Sequence, residues 1–291
     1  MKTVAVTAAD QALGSRVVER LERDPEVDRV VAVALAELPG ADLKRVFDPV
    51  DAVVHLAATT TEPVEPTRRV LEAASAAGAS ALVVVTSALV YGAWPTNPVP
   101  LTEDAPLHPN PGFGPAVGLS EVERLCAEWR DDHPGATVAV LRPAVPVAED
   151  DAGWLAPMLH ASRGVPVADD DPPGQFVHLD DLADAVDLVR RAGIDGPRNV
   201  APDSWIGGEA LRALAGRPRV RLPGRLAERF TRWRWRAGLS PTPPGLLPWT
   251  MHAWVVANDR LRSDGWTPAH SNEEAFVAGH RPPPWATISP Q

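Results

Sequence analysis

Residues 4–14 read VAVTAADQALG, an apolar stretch of strand length that runs through a short turn into the start of a helix. In a dinucleotide-binding sheet, such a turn carries three glycines at G-x-x-G-x-x-G spacing. The first shapes the turn, the second lets the backbone approach a pyrophosphate, and the third allows close packing of the helix on the strand. Here Ala8 and Gln11 occupy the first two positions, and only Gly14 remains. We therefore expect the fold to be retained and the ligand site to be altered.

Composition and charge narrow the class of protein. The chain has 291 residues, a hydrophobic fraction of 45% and a formal net charge of −10. This charge argues against nucleic-acid binding, which requires a basic field. The single cysteine, Cys126, excludes a disulfide framework and a cysteine-based metal site, and we expect no metal. No apolar run suits a signal peptide or a membrane span, so we expect a cytoplasmic protein that binds a small molecule, with no membrane partner.

Apolar runs of strand length alternate with amphipathic helical stretches, which predicts a doubly wound parallel sheet. Strands are predicted at 3–8, 29–35, 51–57, 81–86, 137–142 and 197–200, and helices at 12–23, 65–77, 116–132 and 180–192. Only about 15 residues join the second strand to the third, too few for another strand with its own crossover. We therefore expect the second strand to form a sheet edge, with no strand between residues 36 and 50.

The regular alternation breaks down in two places, which indicates a second, smaller unit. We predict an α/β fold: a Rossmann-like doubly wound parallel sheet that lacks one edge strand, with a small C-terminal lobe. The core is assigned to residues 1–145 and 176–202, and the substrate-binding lobe to residues 146–175 and 203–291.

Five ordered segments carry a resemblance to a known family. They are DAVVHLAA (51–58), VVVTSALVYG (83–92), LRPAVPV (141–147), FVHLDDLADA (176–185) and NDRLRSDGWTPAHSNEEAF (258–276). In this order they resemble the extended short-chain dehydrogenase/reductase family, the NAD-dependent epimerase/dehydratase group. The resemblance runs nearly end to end and implies the fold, whereas function depends on the residues of the site.

The resemblance implies a catalytic Tyr-x-x-x-Lys pair aided by a serine or threonine. Ser87 matches the serine, but Phe113 and Val117 fall at the tyrosine and lysine positions, and neither can exchange a proton. Ala34 matches the acidic residue expected to bind the ribose, although Glu37 could replace it if the strand runs longer. From these degenerate positions we expect no cofactor, with NAD(P) binding as the alternative.

Three side chains remain as catalytic candidates: Ser87, Tyr91 and His55. Ser87 and Tyr91 follow a predicted strand at its carboxyl end, the usual ligand edge of such a sheet. Tyr91 could instead pack structurally. His55 lies inside a strand, where a hydrogen-bonded structural histidine is the alternative interpretation.

The stretch 217–236 carries eight arginines in an otherwise acidic chain. Leu226, Phe230, Trp233 and Ala237 recur at helical spacing, so we expect one face to pack and the arginines to be solvated. The alternative is an anion clamp, because arginine forks suit phosphate and carboxylate. Ten tryptophans, six of them in residues 233–285, either fill a small lobe or line an apolar pocket.

Three functions remain open at this point. The first is a repurposed enzyme that binds a small organic ligand and catalyses isomerisation, elimination or cyclisation without NAD. The second is a non-catalytic sensor or scaffold, a pseudoenzyme. The third is an NAD(P)-dependent epimerase/dehydratase or reductase with an atypical proton donor. The resemblance also implies a homodimer that pairs through the helices at 65–77 and 116–132.

Overall fold

The structure is a computed structural model that describes residues 2–151, 153–162, 172–214, 224–239 and 243–279. Its centre is a six-stranded parallel sheet in the order β2-β1-β3-β4-β5-β8. The eight strands are β1 (Lys2–Thr7), β2 (Val27–Val33), β3 (Ala52–His55), β4 (Ala81–Val85), β5 (Thr137–Pro143), β6 (Val145–Val147), β7 (Phe176–His178) and β8 (Gly196–Val200). Strands β6 and β7 form a separate parallel pair. The predicted α/β class and doubly wound sheet are confirmed.

Helices follow the strands as the apolar periodicity predicts. They are α1 (Ala12–Arg23), α2 (Leu43–Val46), α3 (Val64–Ala77), α4 (Gly114–Asp132), α5 (Leu155–Ser162), α6 (Leu179–Arg191), α7 (Gly208–Leu214), α8 (Gly224–Arg236), α9 (Pro248–Met251), α10 (Asp259–Ser263) and α11 (Asn272–Ala278). Helix α1 packs against α6, and α3 packs against α4 and α2. No helix in the described ranges is long and apolar enough to cross a membrane.

The connection after β2 explains why the sheet lacks one edge strand. Residues 34–50 form a 3₁₀ turn at Leu35–Glu37 and the short helix α2, and this fully described stretch contains no strand. Among the described strands, β2 pairs with β1 alone and therefore forms the sheet edge. The prediction of a missing edge strand is confirmed, because the connection is long enough for one crossover and no more.

The turn between β1 and α1 keeps its shape without two of its glycines. A Cβ on Gly14 would lie 2.1 Å from the carbonyl oxygen of Ala8, so only glycine allows this approach of helix to turn. Ala8 adopts a φ of 53°, in the left-handed region, at a cost of about 1–2 kcal/mol for a residue other than glycine. Its methyl group is fully buried.

The C-terminal part of the chain corrects one packing expectation. Leu226, Phe230 and Trp233 on α8 are 51%, 42% and 57% exposed, so the predicted packed face is open to solvent. The spacing identified the stripe correctly, but spacing cannot tell whether another element covers it. Trp249, Trp254 and Trp266 are buried as core. Residues 217–221 of the arginine-rich stretch, and the sixth tryptophan of the cluster at 285, lie outside the described residues.

Candidate functional site

A cavity of about 400 Å³ opens at the carboxyl edge of the sheet, where open α/β sheets bind their ligands. Its walls come from the start of α1, from the segments that follow β3, β4 and β5, and from α5 and α6. The lining residues are Gln11, Leu13, Leu56, Ala58, Thr59, Val85, Thr86, Ser87, Pro143, Pro146, Asp151, Gly153, Trp154, Leu155, Leu179 and Leu182. Most of this lining is apolar.

The end of the cavity beside α1 suits an anionic group. Gln11 precedes the first residue of α1 and makes no side-chain cap to that helix; its Nε2 donates to Asp10 Oδ2 at 3.1 Å instead. Helix N-termini attract phosphate through their free N–H groups and dipole. Because the Ala8 methyl is buried and Ala8 is not among the lining residues, it leaves this approach open.

Two carboxylates lie where the turn between β1 and α1 meets the end of β2. Asp10 Oδ1 accepts a hydrogen bond from the Leu35 backbone N–H at 2.7 Å, and Glu37 Oε2 accepts one from the Ala34 N–H at 3.2 Å. Ala34 carries no acid itself, but Asp10 and Glu37 supply negative charge at the same place. The nearby guanidinium of Arg69 donates to the Leu38 and Ala41 carbonyls, at 2.6 Å each.

Ser87 lies where the sequence predicts, on the cavity wall at the end of β4. It is 3% exposed, and its Oγ accepts a hydrogen bond from the Leu89 N–H at 3.3 Å. The preceding Thr86, also on the wall, donates from Oγ1 to Glu123 Oε1 at 2.9 Å. Ser87 is therefore a hydroxyl held at the cavity surface.

Tyr91, in contrast, does not line the cavity and is 2% exposed. Its hydroxyl donates to Asn199 Oδ1 at 2.8 Å and accepts a hydrogen bond from Arg142 Nη1 at 2.8 Å. Burial raises the pKa of Tyr91 to about 12, although the Arg142 guanidinium opposes the shift. The Tyr91 side chain thus joins β5 to β8 away from the cavity lining, which favours the packing alternative, and its catalytic role stays a prediction.

His55 is likewise a structural residue. Its Nδ1 lies 2.8 Å from Thr7 Oγ1, and its Nε2 lies 2.9 Å from Thr67 Oγ1. Because the Thr67 hydroxyl donates to the Pro63 carbonyl at 2.7 Å, it accepts from Nε2–H, and Nδ1 accepts from Thr7. Burial lowers the pKa of His55 to about 4. A neutral histidine with both nitrogens hydrogen-bonded favours the structural alternative, and the catalytic role of His55 stays a prediction.

Phe113 and Val117, at the tyrosine and lysine positions of the family motif, do not share a pocket in the structure. Phe113 is 1% exposed, and its ring centre lies 6.2 Å from that of Trp154 and 5.2 Å from that of Trp249. Val117 is 42% exposed and lines a different groove, on the outer side of α4, with Pro109. Phe113 precedes the first residue of α4, so the four-residue spacing does not place the two side chains on one helical face.

The whole chain contains only one tyrosine, the buried Tyr91, and two lysines. Lys2 begins β1, at the sheet edge opposite the cavity, and Lys44 lies on α2, where its Nζ is 3.7 Å from Glu72. No alignment of α4 with the family motif can therefore restore a tyrosine–lysine pair at this cavity. In the described ranges, no group of three or more His, Cys, Asp or Glu side chains is placed to hold a metal ion.

Sequence reasoning missed Trp154, which closes one side of the cavity. Its Nε1 donates to the Ala58 carbonyl at 2.8 Å. The same segment is tied to α1 by Asp150, which pairs with Arg16 at 2.8 Å, while Arg16 also bonds Asp180 at 3.1 Å. A tryptophan three residues after the acidic run that follows β6 was the available signal, but its partners lie on distant parts of the chain.

The sequence profile of the NAD-dependent epimerase/dehydratase family matches residues 4–201. The chain belongs to this family. A similar Streptomyces protein, named 3-diazoavenalumate denitrifying reductase, is 30% identical, and the match covers 88% of each chain. An uncharacterised Mycobacterium tuberculosis protein is 26% identical over 77% of this chain and 68% of its own length.

Solved structures of this epimerase/dehydratase family share the fold. Thermus thermophilus UDP-glucose 4-epimerase in complex with NAD superposes with a TM-score of 0.65 at 19% identity, covering 95% of this chain and 97% of its own. Bacillus cereus UDP-glucuronic acid 4-epimerase, also with NAD, gives a TM-score of 0.68 at 14% identity, covering 95% and 96%. These findings contradict the expectation that no cofactor binds. The steric argument behind that expectation also fails at Ala8, which is fully buried and is not among the residues that line the cavity.

Proposed function

We propose that this protein is an NAD(H)-dependent reductase that reduces an electrophilic group without a proton from a tyrosine–lysine pair. One observation carries the proposal: a cavity of the family's cofactor-binding fold persists in a chain whose only tyrosine and two lysines lie away from it. Reduction of a carbonyl requires a proton donor near the developing alkoxide. A substrate whose reduction needs no proton donor therefore suits this cavity better than a carbonyl compound does.

The name of the Streptomyces relative supports one substrate class, aryl diazo compounds. When an aryl diazonium ion takes up hydride and loses N₂, the product is the arene. One hydride replaces one N₂ group and neutralises one positive charge, so the step balances without a proton from the protein. This chemistry fits a site that lacks the family's proton donor.

The residues have separate tasks in this proposal. The first turn of α1, with Gln11 and Leu13, would hold the cofactor's diphosphate, and Asp10 and Glu37 would accept the ribose hydroxyls. The bound cofactor would supply the hydride. The apolar wall, including Trp154, excludes water from the reacting group, and the Ser87 hydroxyl orients its polar end.

The same residues favour NAD(H) over NADP(H). Two carboxylates lie at the end of β2, and the guanidinium of Arg69 already donates to the backbone carbonyls of Leu38 and Ala41. A 2′-phosphate would meet like charge there, which is unfavourable when the groups are close. We expect NADH to bind at least about tenfold more tightly than NADPH.

Calorimetric titration with both cofactors tests this preference. The double variant Asp10→Asn, Glu37→Gln should reduce the ratio of the two affinities, while Glu65→Gln on α3 serves as an exposed acidic control. Tighter binding of NADPH by the unaltered protein, or a ratio that the double variant leaves unchanged, would contradict the cofactor assignment.

Turnover is tested separately with an arenediazonium salt and NADH deuterated at the transferred position. Enzymatic loss of NADH together with deuterium in the arene is the expected result, relative to heat-denatured protein. Tyr91→Phe should retain the rate per folded molecule, because this hydroxyl is not at the cavity. Cofactor binding without turnover of any diazonium would refute the substrate class, and it would favour the sensor hypothesis.

A further inference from the structure

Helix α8 presents an exposed apolar stripe to solvent. Leu226, Phe230 and Trp233 follow one another at spacings of four and three residues, and each is between 42% and 57% exposed. Leu239, just beyond the helix, is 57% exposed. On the other side of α8, Thr231 is 4% exposed and faces the protein. Exposed stripes of this kind mark interaction surfaces.

Arginines flank the stripe. Arg229, Arg232 and Arg236 are exposed and lie along one side of it at helical spacing. On the other side, the Arg234 guanidinium lies 5.8 Å from the centre of the Phe230 ring, and Arg234 Nη2 donates to the Leu239 carbonyl at 3.1 Å. The stripe is thus bordered by positive charge on both sides.

Charge is strongly segregated between α8 and the rest of the molecule. Five arginines and one glutamate give the helix a formal charge of +4. Within a total of −10, the remaining chain therefore carries −14. A symmetric contact between two copies through α8 would bring two +4 faces together, which disfavours a second copy as the partner.

We propose that α8 docks the protein on an anionic lipid surface. A helix with an arginine-rich face beside tryptophan, phenylalanine and leucine is the pattern that binds in the headgroup region of a bilayer. Anionic headgroups attract such arginines, and the long arginine stems allow the apolar stripe to enter the interface. This differs from the expectation of no membrane partner, which considered membrane-spanning segments.

The docking surface is connected to the candidate cavity through Phe113, whose ring centre lies 6.2 Å from that of the lining residue Trp154. Helix α8 packs against the turn Pro244–Leu246. Within that turn, a Cβ on Gly245 would lie 1.8 Å from the Gly112 carbonyl oxygen, so the two backbones are in direct contact beside Phe113. A protein docked through α8 would hold this side of the site close to the lipid surface.

Vesicle sedimentation of the full-length protein tests the proposal independently of any enzymatic activity. We expect binding to vesicles of equal parts phosphatidylcholine and phosphatidylglycerol, little binding to pure phosphatidylcholine, and release at high salt. The triple variant Arg229→Gln, Arg232→Gln, Arg236→Gln should weaken binding by roughly 100-fold at low salt. The double variant Phe230→Ser, Trp233→Ser, which removes the apolar stripe, should abolish sedimentation with the vesicles.

Matched controls carry the same substitutions elsewhere on the surface. Trp205→Ser and Arg191→Gln, both exposed and away from α8, should bind vesicles as the unaltered protein does. Circular dichroism verifies that each variant is folded. The proposal is overturned if anionic vesicles do not sediment the protein, or if the α8 variants bind as the controls do. It is also overturned if light scattering shows a dimer that the Phe230 and Trp233 substitutions dissociate.

Discussion

The ion pair below the site gives the sharpest test of what holds the carboxyl edge together. Arg142 on β5 donates to the Glu123 carboxylate on α4 through two nitrogens. Its Nε lies 3.0 Å from Oε1 and 3.1 Å from Oε2, and its Nη2 lies 2.6 Å from Oε2. Only 7% and 5% of these side chains are exposed. Glu123→Gln keeps the volume but removes the charge and one acceptor.

The size of the effect follows from burial. Removing one partner of a buried ion pair costs about 3–5 kcal/mol, because the other charge is left without compensation. Glutamine keeps one acceptor oxygen, so we expect the free energy of unfolding to fall by about 3 kcal/mol, the lower end of this range. For a chain of this length, about 2 °C in Tm corresponds to each kcal/mol, which gives a fall of about 6 °C.

Glu121→Gln is the matched control on the same helix. Glu121 pairs with Arg124 and Arg68 at the surface, where screening leaves such pairs little net effect, so Tm should hardly change. Thermal unfolding followed by near-ultraviolet circular dichroism compares the two variants. Equal Tm values for Glu123→Gln and Glu121→Gln would refute the conclusion that the buried pair stabilises this edge.

Three further predictions concern the pKa of His55, the packing of Gly14 and the oligomeric state. The pKa of folded His55 is about 4, below the usual 6.5, so the unfolded chain binds the extra proton as pH falls. The free energy of unfolding should drop by about 2 kcal/mol from pH 7 to pH 5. Denaturant titrations of His55→Gln should not show this pH-dependent loss. Gly14→Ala should lower Tm severely, because its Cβ would meet the Ala8 carbonyl oxygen, whereas Gly114→Ala on α4, with open space around it, should not. The homodimer expected through α3 and α4 stays a prediction. Light scattering should give twice 31.1 kDa, and a monomer mass at micromolar concentration would count against it.

The sequence determined the parallel sheet and its missing edge strand. Alternating apolar periods specify strand and helix without reference to distant residues, and the short connection after β2 is a matter of chain length. It also placed Ser87 at the cavity, because parallel strands deliver their carboxyl ends to one sheet edge. The motif positions alone predict that a tyrosine–lysine pair is absent. The structure adds that the single tyrosine and both lysines lie away from the cavity, so no other alignment of α4 with the motif restores the pair.

Tertiary structure alone decided which candidates are structural. Tyr91 forms hydrogen bonds with Asn199 and Arg142, and His55 with Thr7 and Thr67. A local motif does not contain such distant partners. The periodicity of α8 marked an apolar stripe, yet only packing showed that the stripe is uncovered. The burial of Ala8 away from the cavity lining accompanies a left-handed backbone angle, which composition does not specify. Local pattern fixes the elements, whereas burial and hydrogen-bond partners arise only when distant elements meet.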